Sequence, residues 1–298
     1  MPCVNPMPAF RTDAGDVVMV ERGAIHSSLT LPCGRCVGCR LERSRMWATR
    51  IMFESQMHLR SSFLTLTYDP ANVPSPPSLY YPHVQLFLKR LRKRLGKPLR
   101  FYCVGEYGEE HGRPHYHMIL FGEDFREDRY FWRMRGDNKC WRSPLLESIW
   151  TLGNSEFGSV TFESAAYCAR YVMKKVTGDL AEHHYAFTDP ETGEVSMLTL
   201  EFSRMSLKPG IGGAWFDKYS SDVYGGHDFV VINGRKCKPP RYFDKLYKRF
   251  DKDAHSELKT QREFRAYKHH LNGENLAPRI AAREAVMKAA ISTLKRKL

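Results

Sequence analysis

Two histidines one residue apart, His115 and His117, lie in the stretch GRPHYHMILFG, just ahead of an apolar run. On a strand, alternate residues face the same side, so both imidazoles are presented together. Imidazole suits divalent metals, and two rings at this spacing can hold one ion. A third ligand has to come from a neighbouring strand. If the preceding segment forms the other arm of a hairpin with Glu106 opposite His115, its carboxylate points to the same face. Glu109 and Glu110, in the turn, are weaker candidates. Two histidines and a carboxylate leave positions open for substrate oxygens. The plain alternative is a pair of exposed strand histidines without a ligand, since short motifs misfire often.

A second group sits in YCARYVMKK, where Tyr167 and Tyr171 fall at i and i+4 of a helix. They share a helix face, with Lys174 on it and Lys175 at its edge. Cys168, Val172 and Val176 form a separate stripe suited to packing on a sheet. A phenol of pKa ~10 is a poor nucleophile near neutral pH. A nearby cation favours phenolate, and a metal on a phosphate lowers the demand on it. Covalent attack by tyrosine would divide one hard displacement into two easier ones. Ordinary packing of two aromatics is the competing reading.

A third group is CGRCVGC, with Cys33, Cys36 and Cys39 in a C-x₂-C-x₂-C pattern that Cys3 could complete as a tetrahedral zinc site. An iron–sulfur cluster and unliganded thiols are the alternatives. The role would be structural. Cys103 and Cys168 read as core residues.

These groups need elements to position them. The chain has 298 residues, enough for a core of one large domain or two smaller ones. Its formal charge is +13, from 46 Lys+Arg against 33 Asp+Glu, a field that attracts polyanions. No apolar run is long enough to cross a membrane, so no membrane partner is expected. The opening MPCVNPMPAF lacks the layout of a signal peptide. A reducing cytoplasm follows as the expected location, with cysteines as thiols or ligands rather than disulfides. FLTLT alternates as a strand, and YPHVQLFLKRLRKRLGK reads as an amphipathic helix that Pro82 precedes and Gly96 can cap. Strands are expected at 99–106 and 114–121 as a hairpin, and a short one at GSVTF. A helix begins near Ser164, a plausible N-cap, and ends before Gly178. Residues 256–270 and 277–297 read as polar helices.

The ordered set of FLTLTYD, PHYH behind an acidic hairpin, and YCARYVMKK resembles the HUH endonucleases that initiate rolling-circle replication. The two-tyrosine helix is similar to that of microvirus-type phage initiators, and PCGRCVGCRLERSRMWATR looks like the start of gokushovirus-type replication initiators. The resemblance implies an α+β fold: a central antiparallel sheet with flanking helices, a ferredoxin-like or RRM-like core, and the metal on the face away from the helices. It implies Mg²⁺ or Mn²⁺ at His115, His117 and Glu106, and Tyr167 and Tyr171 as nucleophiles. Lys174 or Lys175 would assist the phenolate or neutralise the phosphate. The implied activity is nicking of single-stranded DNA at an origin, leaving a 5′-phosphotyrosine link and a free 3′-OH, followed by rejoining. The host would be a bacterium, in whose cytoplasm host replication machinery could use the 3′-OH.

The implied organisation is an N-terminal Cys-rich segment and basic helix (1–61), an endonuclease core (62–180) and a C-terminal extension of unassigned role (181–298). Lys89, Arg90, Arg92, Lys93 and Arg94 form a basic helix face suited to DNA phosphates, with Arg40, Arg43, Arg45 and Arg50 as a second patch. Trp132, Trp141 and Trp150 could stack unpaired bases, although core positions are preferred for them. The rival of another class is a non-enzymatic zinc-containing nucleic-acid-binding protein, which would make no use of the tyrosines. A His-triad-type phosphohydrolase needs a further histidine that Met118, Ile119 and Leu120 do not supply.

Overall fold

The computed structural model describes residues 3–108, 112–171, 176 and 178–292, with the side chain of Tyr171 outside that description. The chain divides into two compact units, one of residues 1–45 with 244–297, the other of residues 46–243.

The larger unit is built on a seven-stranded antiparallel sheet. Its strands are β4 (Ser61–Thr67), β5 (Arg100–Tyr107), β6 (Pro114–Phe121), β7 (Tyr130–Arg135), β8 (Asn138–Arg142), β9 (Ser155–Ser159) and β12 (Phe202–Met205). Strands β1 (Met7–Thr12), β2 (Val17–Val18) and β3 (Ile25–Leu31) belong to the other unit, and β10 (Ala186–Thr188) pairs with β11 (Val195–Met197) as a separate ribbon. The sheet order is β12-β5-β6-β4-β9-β8-β7. The fold is therefore α+β, as the resemblance implied. The chain beyond residue 180 supplies β12 at one edge, and the Trp- and Arg-rich middle supplies the β7–β8 hairpin at the other.

Period-two alternation gives each strand two faces. On one, Leu64, Leu66, Cys103, Tyr116, Met118 and Leu120 pack under α2 (Tyr81–Leu95) and α3 (Pro144–Ile149). Helix α2 faces this core with Val84, Phe87, Leu88 and Leu91, the i, i+3, i+4, i+7 pattern of an amphipathic helix. It ends on Gly96 in the left-handed region (φ 64°), whose N–H reaches the Arg92 carbonyl. On the opposite face Tyr102, Val104, Ile119 and Phe121 meet Ala48 and Ile51 of α1 (Val37–Gln56) and Ala165, Ala166 and Cys168 of α4 (Phe162–Tyr171). Helices thus cover both faces, whereas the expectation placed the face carrying the histidines away from the helices. Cys103 and Cys168 are fully buried.

The start of α4 differs from expectation in one detail. Thr161, not Ser164, caps the helix: Ser164 N–H donates to Thr161 Oγ1 (3.2 Å), and Thr161 N–H donates to Ser164 Oγ (2.9 Å). This is the reciprocal arrangement of a capping box. After α4 come α5 (Leu180–Tyr185), α6 (Gly213–Tyr224), the small hairpin β13 (Val230–Ile232) and β14 (Arg235–Cys237), then α7 (Arg241–Phe250), α8 (Lys252–Leu271) and α9 (Ala277–Ser292). Among the described residues, no helix is long and apolar enough to cross a membrane.

Candidate active site

Strand β6 is interior, flanked by β5 and β4, so the histidines cannot drift from their neighbours. The β5–β6 register pairs Glu106 with His115, and the β4–β6 register pairs Thr65 with His117. Glu106 and His117 are each only 3% exposed, an uncommon burial for a carboxylate, which requires partners. Glu106 Oε1 lies 2.8 Å from His117 Nε2 and 3.1 Å from His115 Nε2. Tyr116, between the two histidines, points to the other face. There its hydroxyl meets Tyr68 Oη (2.9 Å) and the backbone of Tyr80, which anchors β6 from behind.

The outer ring nitrogens are also held. His115 Nδ1 donates to the Arg113 carbonyl (2.8 Å), and His117 Nδ1 meets Thr65 Oγ1 (3.1 Å). A carbonyl only accepts, so the Nδ1 of His115 carries the proton. Nε2 then faces Glu106 Oε1 at 3.1 Å, as a donor if the ring is charged and as a lone pair able to share a cation with the carboxylate if it is neutral. Burial works against the Glu106 charge, but bonds from His115 and His117 hold its carboxyl below the usual range. Burial also lowers the pKa of His117, against the pull of Glu106. An ionised carboxylate and neutral imidazoles are the states that bind metals.

The donor set fits a hard divalent ion. Cis ligands on an octahedral ion at ~2.1 Å lie ~3.0 Å apart, comparable with the 2.8 and 3.1 Å separations here. Glu106 Oε2 is buried and, among the described residues, has no hydrogen-bond partner, leaving a second acceptor available to an ion or its ligands. Glu109 and Glu110 lie outside the described residues.

Helix α4 brings a phenol to this cluster. The Tyr167 ring meets His117 edge to face, with centroids 5.2 Å apart, and meets Phe63 at 6.1 Å. Phe63 in turn stacks on His117 at 5.5 Å. The small residues Ala165, Ala166 and Ala169 let the helix approach the sheet. Tyr171 lies one turn further along the helix axis, and Lys174 and Lys175 lie outside the described residues.

The family model for replication-associated protein ORF2/G2P matches residues 61–176, the stretch that builds this site. Replication-associated protein VP4 of Bdellovibrio phage phiMH2K is 33% identical over 281 residues, covering 88% of this chain and 84% of that protein. The chain belongs to the phage replication-associated proteins. Within that family, protein ORF4 of Chlamydia phage 1 is 32% identical over 233 residues, covering 74% of this chain and 54% of its own. Protein ORF2 of Spiroplasma virus 4 is 28% identical over 233 residues, covering 74% and 68%. These relatives fit the microvirus-type initiator that the motifs resemble, and membership supports a role in phage replication. No solved structure matches the chain.

Other residues singled out in this family member fall into different settings. Cys3, Cys33, Cys36 and Cys39 gather with their sulfurs all within 4.8 Å of one another. On α2, Lys89, Arg90, Lys93 and Arg94 are exposed, but Arg92 is committed to the Leu99 carbonyl (2.7 Å). That helix packs on the sheet face opposite the histidines. Arg50 is structural rather than a phosphate contact. Its guanidinium lies between the rings of Trp47 (4.0 Å) and Tyr242 (4.1 Å) and donates to the Ile211 carbonyl. Burial brings its pKa down to about 10. Trp150 is buried and Trp141 half-buried, as core positions require, whereas Trp132 stands 48% exposed beneath Arg142.

Thr65, Glu156 and Arg135 escaped the sequence reading. Glu156 lies opposite Thr65 on β9 and forms ion pairs with Arg133 (2.7 Å) and Arg135 (2.8 Å). A groove lined by Phe63, Thr65, Arg135, Lys139 and Glu156 runs from the histidine side of the sheet toward the β7–β8 hairpin. Thr65 lies between Leu64 and Leu66 in a strand that also carries Ser61, Ser62 and Thr67, so its residue type alone did not single it out.

Proposed function

We propose that this chain nicks single-stranded DNA at an origin by tyrosine attack on a phosphodiester and later rejoins the strand, initiating rolling-circle replication. The observation that carries this reading is the convergence of Glu106, His115 and His117 from two paired strands with Tyr167 from α4. A Mg²⁺ or Mn²⁺ ion held by those three side chains would supply Lewis-acid polarisation of the scissile phosphate.

The remaining work belongs to the chain. The phenol oxygen of Tyr167 or Tyr171 bonds to phosphorus, and the bond from phosphorus to the 3′ oxygen breaks. The phenol loses its proton, and the departing oxygen gains one to become the 3′-OH. Lys174 or Lys175 stabilises the phenolate or the phosphate charge. The phosphotyrosine link keeps the bond energy, so a DNA 3′-OH can reverse the step without a nucleotide cofactor. A second tyrosine allows a regenerated origin to be cut while the first 5′ end is still held. In this reading residues 62–180 are the endonuclease core, which β12 braces at its edge. Lys89, Arg90, Lys93 and Arg94 serve as an auxiliary phosphate surface away from the cut, and Arg92 anchors their helix. The reaction takes place in the bacterial host's cytoplasm, where the host replication machinery extends the 3′-OH.

The test is incubation with labelled single-stranded origin DNA and Mn²⁺, with and without chelator, scoring covalent protein–DNA adduct. Adduct should need the ion and vanish in the Tyr167→Phe/Tyr171→Phe double variant while DNA binding persists. Adduct from the double variant removes the nucleophile assignment. A wild-type chain that binds DNA but never forms adduct leaves the non-enzymatic binding protein as the better description.

A further inference from the structure

Residues 3–36 form a three-stranded sheet, β2-β1-β3, with almost no interior. Only Cys3 and Ala9 are buried along this stretch, while strand β3 alternates between half-buried and exposed positions throughout. A small sheet with so little apolar burial does not offset the entropy of ordering its chain. Residues 244–297 of the same unit add surface contacts such as the Arg11–Glu263 pair at 3.6 Å, but they bury no apolar side chain of this stretch beyond Cys3 and Ala9.

The four cysteines are placed to hold this sheet. Cys3 precedes β1, Cys33 and Cys36 follow β3, and Cys39 lies in the first turn of α1. All four are free thiols, so no disulfide staples them. Cys3 Sγ lies 3.7 Å from Cys33 Sγ and 3.7 Å from Cys36 Sγ. Sulfurs bound at ~2.3 Å to a tetrahedral zinc ion stand ~3.8 Å apart along each edge, whereas a disulfide brings them to ~2.05 Å. A polynuclear iron–sulfur cluster distributes its thiolates over separate irons. Four sulfurs within 4.8 Å of one another suit one ion instead. Backbone donors already point at the sulfurs: Val4 N–H to Cys36 (3.4 Å), Cys33 N–H to Cys3 (3.4 Å) and Cys36 N–H to Cys33 (3.3 Å). Such N–H···S bonds spread thiolate charge and orient the ligands. Gly34, at φ 75°, makes the turn that lets Cys33 and Cys36 converge.

We propose that Cys3, Cys33, Cys36 and Cys39 bind a single zinc ion as thiolates, and that this ion rather than an apolar core holds residues 3–39 folded. Binding releases the thiol protons to solvent and involves no change of oxidation state. The ion takes no part in strand cleavage, so this proposal stands independently of the nicking reaction.

The full-length chain, purified without chelator, should carry one equivalent of zinc by elemental analysis. His115→Ala/His117→Ala should retain it, and Cys36→Ser should lose it at least tenfold. Replacement by Co²⁺ should give the visible bands and near-ultraviolet thiolate-to-metal band of a tetrahedral sulfur site. Removing the ion with an organomercurial should abolish hydrogen-exchange protection of β1 and β3 and leave that of β4–β6 unchanged. If Cys36→Ser does not fold, the cobalt spectrum of the unaltered chain decides. Stoichiometric iron, zinc lost with the histidines, a cobalt spectrum without sulfur bands, or unchanged β1 and β3 protection after removal would each overturn the proposal.

Discussion

The rings of Tyr167 and His117 meet edge to face, with an interplanar angle of 80° and 5.2 Å between centroids. A residue from a helix is thereby locked to a residue of an interior strand. Tyr167→Phe keeps the ring against His117 and removes only the hydroxyl, so its cost in unfolding free energy should be smaller than that of Tyr167→Ala. Tyr167→Ala should cost about 2–3 kcal/mol, somewhat less than for a fully buried aromatic. Adduct mapping on Tyr167→Phe should place the DNA link on Tyr171 alone. Denaturant melts and peptide mapping check both parts.

Thr65 is a positioning residue for His117, since its hydroxyl meets Nδ1 and so sets which nitrogen faces Glu106. Thr65→Val removes that bond and leaves a buried ring nitrogen without it. Mn²⁺ affinity should fall by about 10–100-fold, the usual effect of losing an outer partner of a metal ligand. Thr65→Ser should restore it. A Mn²⁺ titration followed by paramagnetic resonance makes the measurement, and unchanged affinity in Thr65→Val would remove Thr65 from the site.

Glu54 joins α1 to two distant parts of the larger unit. It is 1% exposed, pairs with Arg100 through a short charge-assisted bond, and accepts from Gly212 N–H at 2.7 Å. His58 Nε2 adds a third contact at 3.3 Å. Burial raises the cost of its charge, yet these partners hold its pKa below the free value. Its stabilisation is therefore complete above the unfolded-chain value of ~4.3 and is lost as pH falls below that and through the folded-state pKa. Glu54→Gln should destabilise by about 2–3 kcal/mol at neutral pH, less than for a wholly buried pair because Arg100 is 21% exposed. The variant should also show a shallower loss of stability in acid. Urea melts across pH 3–7 check the sign.

Two tryptophans from the same region should behave in opposite ways. Trp150 is buried among Tyr68, Phe87 and Tyr116, and its Nε1 donates to the Thr67 carbonyl at 3.0 Å. Trp150→Ala should cost about 3–5 kcal/mol. Trp132 is exposed on the edge strand β7, with Arg142 over its ring, so Trp132→Ala should change stability by about 0.5 kcal/mol or less. Thermal melts of the two variants give the comparison.

The sequence by itself determined what depends on neighbours along the chain. Alternation placed His115 and His117 on one face of a strand, and a spacing of four placed Tyr167 and Tyr171 on one face of a helix. The C-x₂-C-x₂-C pattern brought three thiols within reach of each other. Backbone periodicity imposes such relations wherever the element forms. Tertiary structure decided the rest. It selected the register that sets Glu106 against His115, laid β4 beside β6 so that Thr65 meets His117, and put α4 on that face rather than the other. It also drew β12 into the sheet from beyond residue 180 and buried Arg50 between two rings. These relations join residues far apart in the chain, and a one-residue slip in pairing would turn every side chain of a strand to the opposite face. Burial on both faces of the sheet chooses one pairing among the alternatives, and that choice cannot be read from any single segment.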